Sequence, residues 1–510
     1  MSPTNTSALR TLSAVVDTAA TAPLSESTLA ALPSWVAAPG YDRRSLTPAV
    51  VHIGVGFHRA HQAVYFDDLA RLGFSTEWGI VGVGLHRPEM GRVLSEQDNL
   101  YTVVVRGPDG ERVRVVGALV DYLFAPESPE AVLSVLAAPT TRLVTLSITG
   151  SAYPTGDPDL EQQDVRADVE RPAAPGTAFG YLVEALDRRR RDGGLPFTVL
   201  SCDNVEHNGE ATRRAVLAIA RLRSPELAEW VQRHVSFPSS MVDRITPETT
   251  PELRDHIVDT HGVGDRWPVV TEPFSQWVVE DDFCNSRPPL ENVGVQFVQD
   301  LRPYEVMKTR MLNGAHSAMG YLARLSGFRS TDEAMRSQVL RDYVDGYLAE
   351  AAALLPDVPG IDLAAYRTTL LERFSNPQLS DQTARLCRRG STKVPSYVLP
   401  SLELALAQDQ PRQHLVLALA GWLRFLRGVD YDGSPIEIED AHADRLRSLA
   451  VAGGTDPRPL LAERDVFGSL TDSRQLVDEL EQALCLLEAG PLEAAAMTRA
   501  RPVAHIGSAA

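Results

Sequence analysis

Only four cysteines occur among 510 residues, at positions 202, 284, 387 and 485, and no two of them form a CxxC pair. Such spacing excludes a disulfide framework and a zinc-ligand pattern, and it fits a reducing compartment. No apolar run reaches the roughly 20 residues a membrane span needs, and residues 1–40 lack the basic start and apolar core of an export signal. Basic charge is in deficit. Against 67 Asp and Glu stand 49 Lys and Arg, a formal charge of −18 that repels nucleic acid and anionic lipid. The densest basic run, Arg188 to Arg191, lies between a helical pattern and a Gly-Gly turn and reads as a solvated helix end. The expectation is a soluble cytoplasmic chain with no nucleic-acid and no membrane partner. At 44% hydrophobic and 23% charged residues, it is long enough to bury two cores.

From residue 49 onward, short β-branched runs alternate with amphipathic stretches, beginning at 49–54 and 78–83. That alternation predicts a parallel sheet wound by helices. Residues 102–105 and 112–116, joined by Gly107-Pro108-Asp109-Gly110, read as an inserted hairpin. Further buried strands are expected at 142–146 and 197–201, each ending in polar residues where an α/β sheet presents its ligands. Beyond 293–297 the β-branched runs fade, and helical spacing dominates at 303–325, 415–427 and 474–488. The chain therefore divides into an α/β half over 45–290 and a mainly α-helical domain over 291–495. Residues 371–400, rich in Pro, Ser and Arg, read as an ordered loop system, and the first dozen and last few residues read as tails.

Gly54-Val55-Gly56-Phe57-His58-Arg59 follows the first strand and opens a helix that stops near Gly73. Glycines there let a backbone approach a pyrophosphate, although only two of the three fingerprint glycines are present and a tight turn without ligand is the plainer alternative. His58 and His61 suggest a metal, but nothing in the sequence completes a coordination set, so no metal is expected. After the second strand, Glu89 would accept from a ribose hydroxyl and favour NAD, whereas Arg87 would pair a 2′-phosphate and favour NADP. Both cofactors stay open, as does a surface salt bridge for Glu89.

The richest constellation runs from Pro303 to His316. At about 100° per residue, with Lys308 at zero, Glu305 falls near 60°, His316 near 80° and Asn313 near 140°. A cation, a carboxylate, an imidazole and a carboxamide on one arc pack poorly but handle a hydroxyl proton well: a base takes the proton while hydride leaves carbon, and a carboxamide steadies the alkoxide. A free lysine titrates near ~10.4, so this one must be desolvated or placed beside positive charge to act at neutral pH. A helix with an ordinary i,i+3 Glu–Lys pair is the bland alternative. Tyr304 and Lys308 also match a YxxxK spacing, but the TGxxxGxG loop that goes with it in short-chain dehydrogenases is absent. Asn204, just past a strand's carboxyl end, and the run Arg385 to Pro395 complete the candidates; a simple turn and a solvated basic loop are their alternatives.

Taken together, the residues resemble the long-chain mannitol dehydrogenase family over roughly 45–490. The marks are FHRAHQ at 57–62, SCDN at 201–204, MVDRITP at 241–247, WPVVTEPFSQWVVEDDF at 267–283, the helix at 308–316 and GSTKVP at 390–395. The resemblance implies an α/β, Rossmann-type dinucleotide-binding domain over 45–290, a mainly α-helical substrate domain over 291–495, metal-independent hydride transfer with NAD as cofactor, a polyol or ketose substrate held between the two domains, D-mannitol and D-fructose as the pair interconverted, and a monomer. Oxidation of mannitol 1-phosphate at C5 and reduction of fructuronate or tagaturonate are the alternatives within the family; a sugar- or nucleotide-binding protein with little turnover is the alternative outside it. Matched to the family's motifs, Lys308 resembles the general base, Asn204 and Asn313 the pair that holds the reacting oxygen, His316 the orienting imidazole and Glu305 the proton gate. Asp243, Arg385 and Lys393 resemble substrate-side residues. Two departures bear on the cofactor: Phe57 follows Gly56 directly, one residue short of GxGxFHRAHQ, and Gly150 stands where an acidic residue is usual.

Overall fold

The structure is a computed structural model that describes residues 22–154, 162–247, 249–379 and 381–499, so the tails expected at the ends lie largely outside the described residues. The strands, in chain order, are β1 (Val36–Ala37), β2 (Pro48–Ile53), β3 (Gly79–Gly84), β4 (Tyr101–Gly107), β5 (Gly110–Val116) and β6 (Leu119–Phe124). They continue with β7 (Leu143–Leu146), β8 (Thr198–Ser201), β9 (Ser240–Asp243), β10 (Val269–Thr271), β11 (Gln276–Glu280) and β12 (Gln296–Val298). Strands β2, β7 and β8 are buried at every residue but Pro48 and rich in Val, Leu and Thr, as expected where helices cover both faces.

Five strands form a parallel sheet in the order β6-β3-β2-β7-β8, so the winding reverses beside β2. In register, Ile53 pairs with Val83 and with Leu146, and Leu146 pairs with Ser201. That alignment brings Gly54, Ser147 and Cys202 to one carboxyl edge, at the switch point where such sheets bind ligands. The hairpin expected from Gly107 to Gly110 is present as antiparallel β4 and β5, within a second sheet of order β1-β5-β4-β10. A third sheet, β12-β11-β9, was not anticipated, because its strands are only three to five residues long and carry little period-2 signal.

From Arg302 onward the described chain is helical. The helices Gly314–Leu325 and Gln413–Phe425 are apolar on almost every side and form the centre of this half, where Tyr321, Tyr343, Tyr347 and Trp422 are fully buried. Met241 and Val278, from β9 and β11, join the same core and fasten the two halves together.

Two expectations need correction. Residues 371–400 are not mainly loop: they hold the end of helix Leu363–Phe374, then helices Thr383–Leu386 and Gly390–Tyr397. Packing outweighs local propensity there, since a Cβ on Gly390 would sit 2.3 Å from Trp422 Nε1. The basic run Arg188 to Arg191 is only partly solvated. Arg188 pairs with Glu184 and Glu130, and Arg190 and Arg191 pair with Asp187. Arg189 is buried and donates to the carbonyls of Leu136, Ala138, Thr141 and Leu195, where its delocalised charge satisfies a cluster of backbone acceptors.

Candidate active site

The first strand-to-helix turn is shaped by close backbone approach. Gly54 adopts φ +94°, and a Cβ there would lie 2.3 Å from the Ser147 carbonyl oxygen at the end of β7. Only glycine fits both the conformation and the contact. Gly56 is exposed, with open space where a Cβ would project, so the residues present fit a bound dinucleotide phosphate: a bare backbone turn at the switch point. Val55, Gly56, Phe57 and His58 form one short helical turn. His52 donates from Nε2 to the Gly54 carbonyl at 3.0 Å and accepts at Nδ1 from the Thr145 hydroxyl at 2.7 Å. Its ring stacks on His58 at 3.5 Å. Burial pushes His52 down to about 3 and His58 well below its ordinary range, so both rings are neutral. His61 donates to the Gln276 carbonyl among Tyr65 and Trp277. Arg59 turns inward, over the Tyr101 ring and onto the Trp267 carbonyl. Glu89 opens the helix Glu89–Glu96 after β3, at the same sheet edge and exposed, as is Arg87.

At the end of β8, Asp203 accepts from the backbone N–H groups of Ile148 (3.0 Å) and Thr149 (2.7 Å) and from the Tyr153 hydroxyl (2.9 Å). Asn208 donates from Nδ2 to the carbonyls of Asp203 and Ser240 and accepts from the Ser240 N–H. These bonds fix the turn between its neighbours and leave Asn204 exposed, facing the helical half.

Opposite it, helix Arg302–Met307 runs into a π-helical segment, Lys308–Asn313, and then into Gly314–Leu325. In an unbroken α-helix Lys308 and Asn313 would stand about 140° apart. A turn closed from i to i+5 swings them toward one line, which the 100° spacing assumed for the sequence does not capture. Lys308 is only 6% exposed, and its Nζ donates to Asn204 Oδ1 across the seam. Burial lowers the Lys308 pKa, Asp243 and Glu305 oppose the shift, and Arg373 adds to it. Glu305 is raised above the ordinary carboxylate range by burial while accepting from the His207 N–H at 3.0 Å, next to exposed Glu206. His316 rests on the Phe374 ring at 4.4 Å, and burial brings it down to about 3. Tyr304 points elsewhere, donating to the Pro359 carbonyl at 2.6 Å, so the YxxxK spacing is coincidental.

Asp243 differs in role from a free substrate ligand. Both of its oxygens accept from Arg373, at 2.7 and 2.8 Å, and the same guanidinium reaches Glu272 at 2.8 and 3.0 Å. All three side chains are buried, and Arg373 also lies over the Phe274 ring. The arginine belongs to the helical half and the carboxylates to the α/β half, so the triad clamps the seam beside Lys308. Burial pushes the Glu272 pKa up, whereas Arg373 holds Asp243 below its usual range despite burial. Arg385 is paired with Asp381, and Lys393, pushed down to about 8 mainly by burial, donates to the Leu386 carbonyl at 3.2 Å. Arg385 and its partner Asp381 act electrostatically on the same site, since both are among the charges that perturb His316. Sequence reading missed Arg373, which stands in an ordinary amphipathic stretch, and missed Asp203 as the anchor of the Asn204 turn.

Two family models cover the chain: the mannitol dehydrogenase Rossmann domain matches residues 48–292, and the mannitol dehydrogenase C-terminal domain matches residues 300–487. The chain is 43% identical to a mannitol 2-dehydrogenase of Neosartorya fischeri, across 88% of this chain and 92% of that protein. It is 41% identical to a mannitol dehydrogenase of Saccharomyces cerevisiae, across 92% and 96%. Among solved structures, the Pseudomonas fluorescens mannitol 2-dehydrogenase in ternary complex with NAD and D-mannitol superposes with a TM-score of 0.84 at 39% identity, covering 94% of this chain and all of that one. A substrate-free D-sorbitol dehydrogenase superposes with a TM-score of 0.86 at 37% identity, covering 93% and 100%.

Proposed function

The chain belongs to the mannitol dehydrogenase family, and from that premise we propose that it is an NAD-dependent polyol 2-dehydrogenase that interconverts D-mannitol and D-fructose, with Lys308 as the general base. The observation that carries the reading is the buried Lys308 amine on Asn204, at the seam between a dinucleotide-type sheet edge and the helical half. Bound at that edge, NAD supplies the hydride acceptor. In its uncharged form, which burial favours, the Lys308 amine takes the C2 hydroxyl proton as the C2–H bond breaks, leaving a ketone. Asn204 accepts from Lys308 through Oδ1, so its Nδ2 is free to donate to the developing alkoxide, with Asn313 as the second donor. His316, neutral on Phe374, orients a neighbouring hydroxyl. The proton then leaves through Glu305, which stands at the exposed 206–207 turn with a raised pKa suited to relay. Arg385 and Lys393 line the outer substrate side, and Gly54, Val55, Gly56, Phe57, His58, Arg59 and Glu89 build the cofactor side, Arg59 by holding the turn from behind.

A cytoplasmic monomer without nucleic-acid partners completes the proposal. Its supports are four unpaired cysteines, the acidic balance and the lack, among the described residues, of a helix long and apolar enough to cross a membrane. Purified protein is expected to form NADH from D-mannitol, and Lys308→Ala to lower kcat by roughly 10²–10⁴ while NADH binding, followed by fluorescence, persists. Activity that survives the substitution would remove Lys308 as base. The D-sorbitol likeness makes sorbitol the required competitor in the panel, with NADP assayed beside NAD because Arg87 lies near Glu89.

A further inference from the structure

Away from the site above, Glu111 on β5 and two histidines of helix Pro251–His261 converge on one point. His261 Nε2 lies 2.7 Å and His256 Nε2 3.1 Å from the same oxygen, Glu111 Oε2, and the three ligand atoms fall within 4.8 Å of one another. The surroundings are those of a held ligand set. Arg106, directly across the hairpin from Glu111, donates from Nε to the other oxygen, Oε1, at 2.7 Å; His256 Nε2 also approaches Oε1 at 3.2 Å, and Oε2 is the oxygen both imidazoles share. The Thr260 hydroxyl sits 3.2 Å from His256 Nδ1, the outer hydrogen bond that fixes ring orientation and tautomer in imidazole metal ligands. His261 is nearly buried at the helix end, whereas the His256 side chain is 41% exposed, so one side stays open for water ligands.

We infer that Glu111, His256 and His261 form a binding site for a borderline divalent transition-metal ion, of the zinc, cobalt(II) or nickel class, that ties helix Pro251–His261 to the β4–β5 hairpin. Two imidazoles and one carboxylate suit these ions rather than magnesium or calcium, which take oxygen ligands. The two nitrogen–oxygen separations, 2.7 and 3.1 Å, must open by roughly 0.2–0.9 Å for these donors to hold an ion tetrahedrally at bonds of roughly 2.0–2.2 Å, and all three ligand atoms already lie within 4.8 Å of one another. The Arg106 charge works against a dication, so binding is of moderate strength and serves structure, not the reaction. None of these residues belongs to the hydride-transfer machinery, and the site stands whatever the fate of the Lys308 reading.

The test uses the full chain, chelator-stripped, in a Cys485→Ser background that removes the exposed thiol. Calorimetry with Zn²⁺ and the visible absorption of added Co²⁺ are expected to show one equivalent bound. His256→Asn, at an exposed position that tolerates change, is expected to weaken binding at least 10-fold, and Thr260→Val to weaken it less. Turnover of mannitol should stay unchanged in both variants. No stoichiometric uptake, or uptake indifferent to His256→Asn, would overturn the proposal and leave the cluster a hydrogen-bonded Glu–His pair.

Discussion

Arg373→Met tests the clamp at the seam, because it removes the guanidinium while keeping an unbranched apolar stem over Phe274. Asp243 and Glu272 together lose four hydrogen bonds and are left as two buried carboxylates without their shared guanidinium. Breaking a buried pair from one side costs about 3–5 kcal/mol, and a bridge to two partners belongs in the upper part of that range. The pH dependence has a definite sign. In the parent, Arg373 holds Asp243 below the ordinary carboxylate range, so its stabilisation is present above the unfolded value near ~3.9 and is lost as pH falls through the lower folded value. In the variant both carboxyls rise by burial, and stability instead falls as pH climbs toward 7. Lys308 responds as well: with Arg373 gone, a lowering influence is lost and Asp243 remains beside the amine. The acid limb of kcat/KM for mannitol oxidation therefore moves to higher pH. Urea denaturation across pH and a pH-rate profile measure the two effects, and Asp243→Asn/Glu272→Gln/Arg373→Met should regain most of the lost stability because no buried charge is left over. An Arg373→Met protein with the parent's urea midpoint and an unmoved acid limb would refute both the clamp and its influence on the base.

Two further outcomes separate cofactor geometry from coincidence. Gly54→Ala forces a Cβ to within 2.3 Å of the Ser147 carbonyl at φ +94°; strain of about 1–3 kcal/mol or more and a sharp loss of NADH affinity are expected, read by thermal melting and fluorescence titration, and parent-like affinity would show that the turn does not carry the cofactor. Tyr304→Phe removes only a hydrogen bond to Pro359; stability should fall by about 0.5–1.5 kcal/mol with kcat nearly unchanged, whereas a large fall in kcat would revive the tyrosine as an acid–base group.

Elements with a strong local period were readable from the chain: the Rossmann-type strands, the β4–β5 hairpin with its Pro-Asp-Gly turn, and the long apolar helices. The helix carrying Lys308, Asn313 and His316 was equally visible, since polar groups on one face of an apolar segment need a reason. What stayed hidden depends on distance in sequence. Arg373 and Asp243 are 130 residues apart, and no local pattern marks an arginine as destined for a buried carboxylate pair. The π segment is a change of hydrogen-bond partner within a run whose side-chain pattern reads equally well as α-helix. The helix Gly390–Tyr397 was obscured for the opposite reason: Pro395 and the preceding arginines argue for loop, and only the fit of Gly390 against Tyr321 and Trp422 reverses that.

The arrangement of charge bears on which substrate the cleft prefers. A sugar phosphate or a uronate needs a cation with unspent hydrogen-bond donors and no carboxylate partner. Arg373 is committed to Asp243 and Glu272, Arg385 to Asp381 and Arg388 to Glu439. The imidazoles of His52, His61 and His316 are held neutral by burial, at about 3 in each case. Lys308 is desolvated, and Lys393 already donates to backbone carbonyls. Apart from exposed Arg389, the cations named here are thus either neutralised or driven toward the uncharged form, while carboxamides, a neutral imidazole and an amine supply donors and acceptors in mixture. That inventory matches a substrate rich in hydroxyls and without charge, because each hydroxyl both donates and accepts and carries no desolvation penalty of an ion. An anionic substrate held by Arg385 would have to break the Arg385–Asp381 pair, leaving Asp381, itself buried, as the unpaired charge.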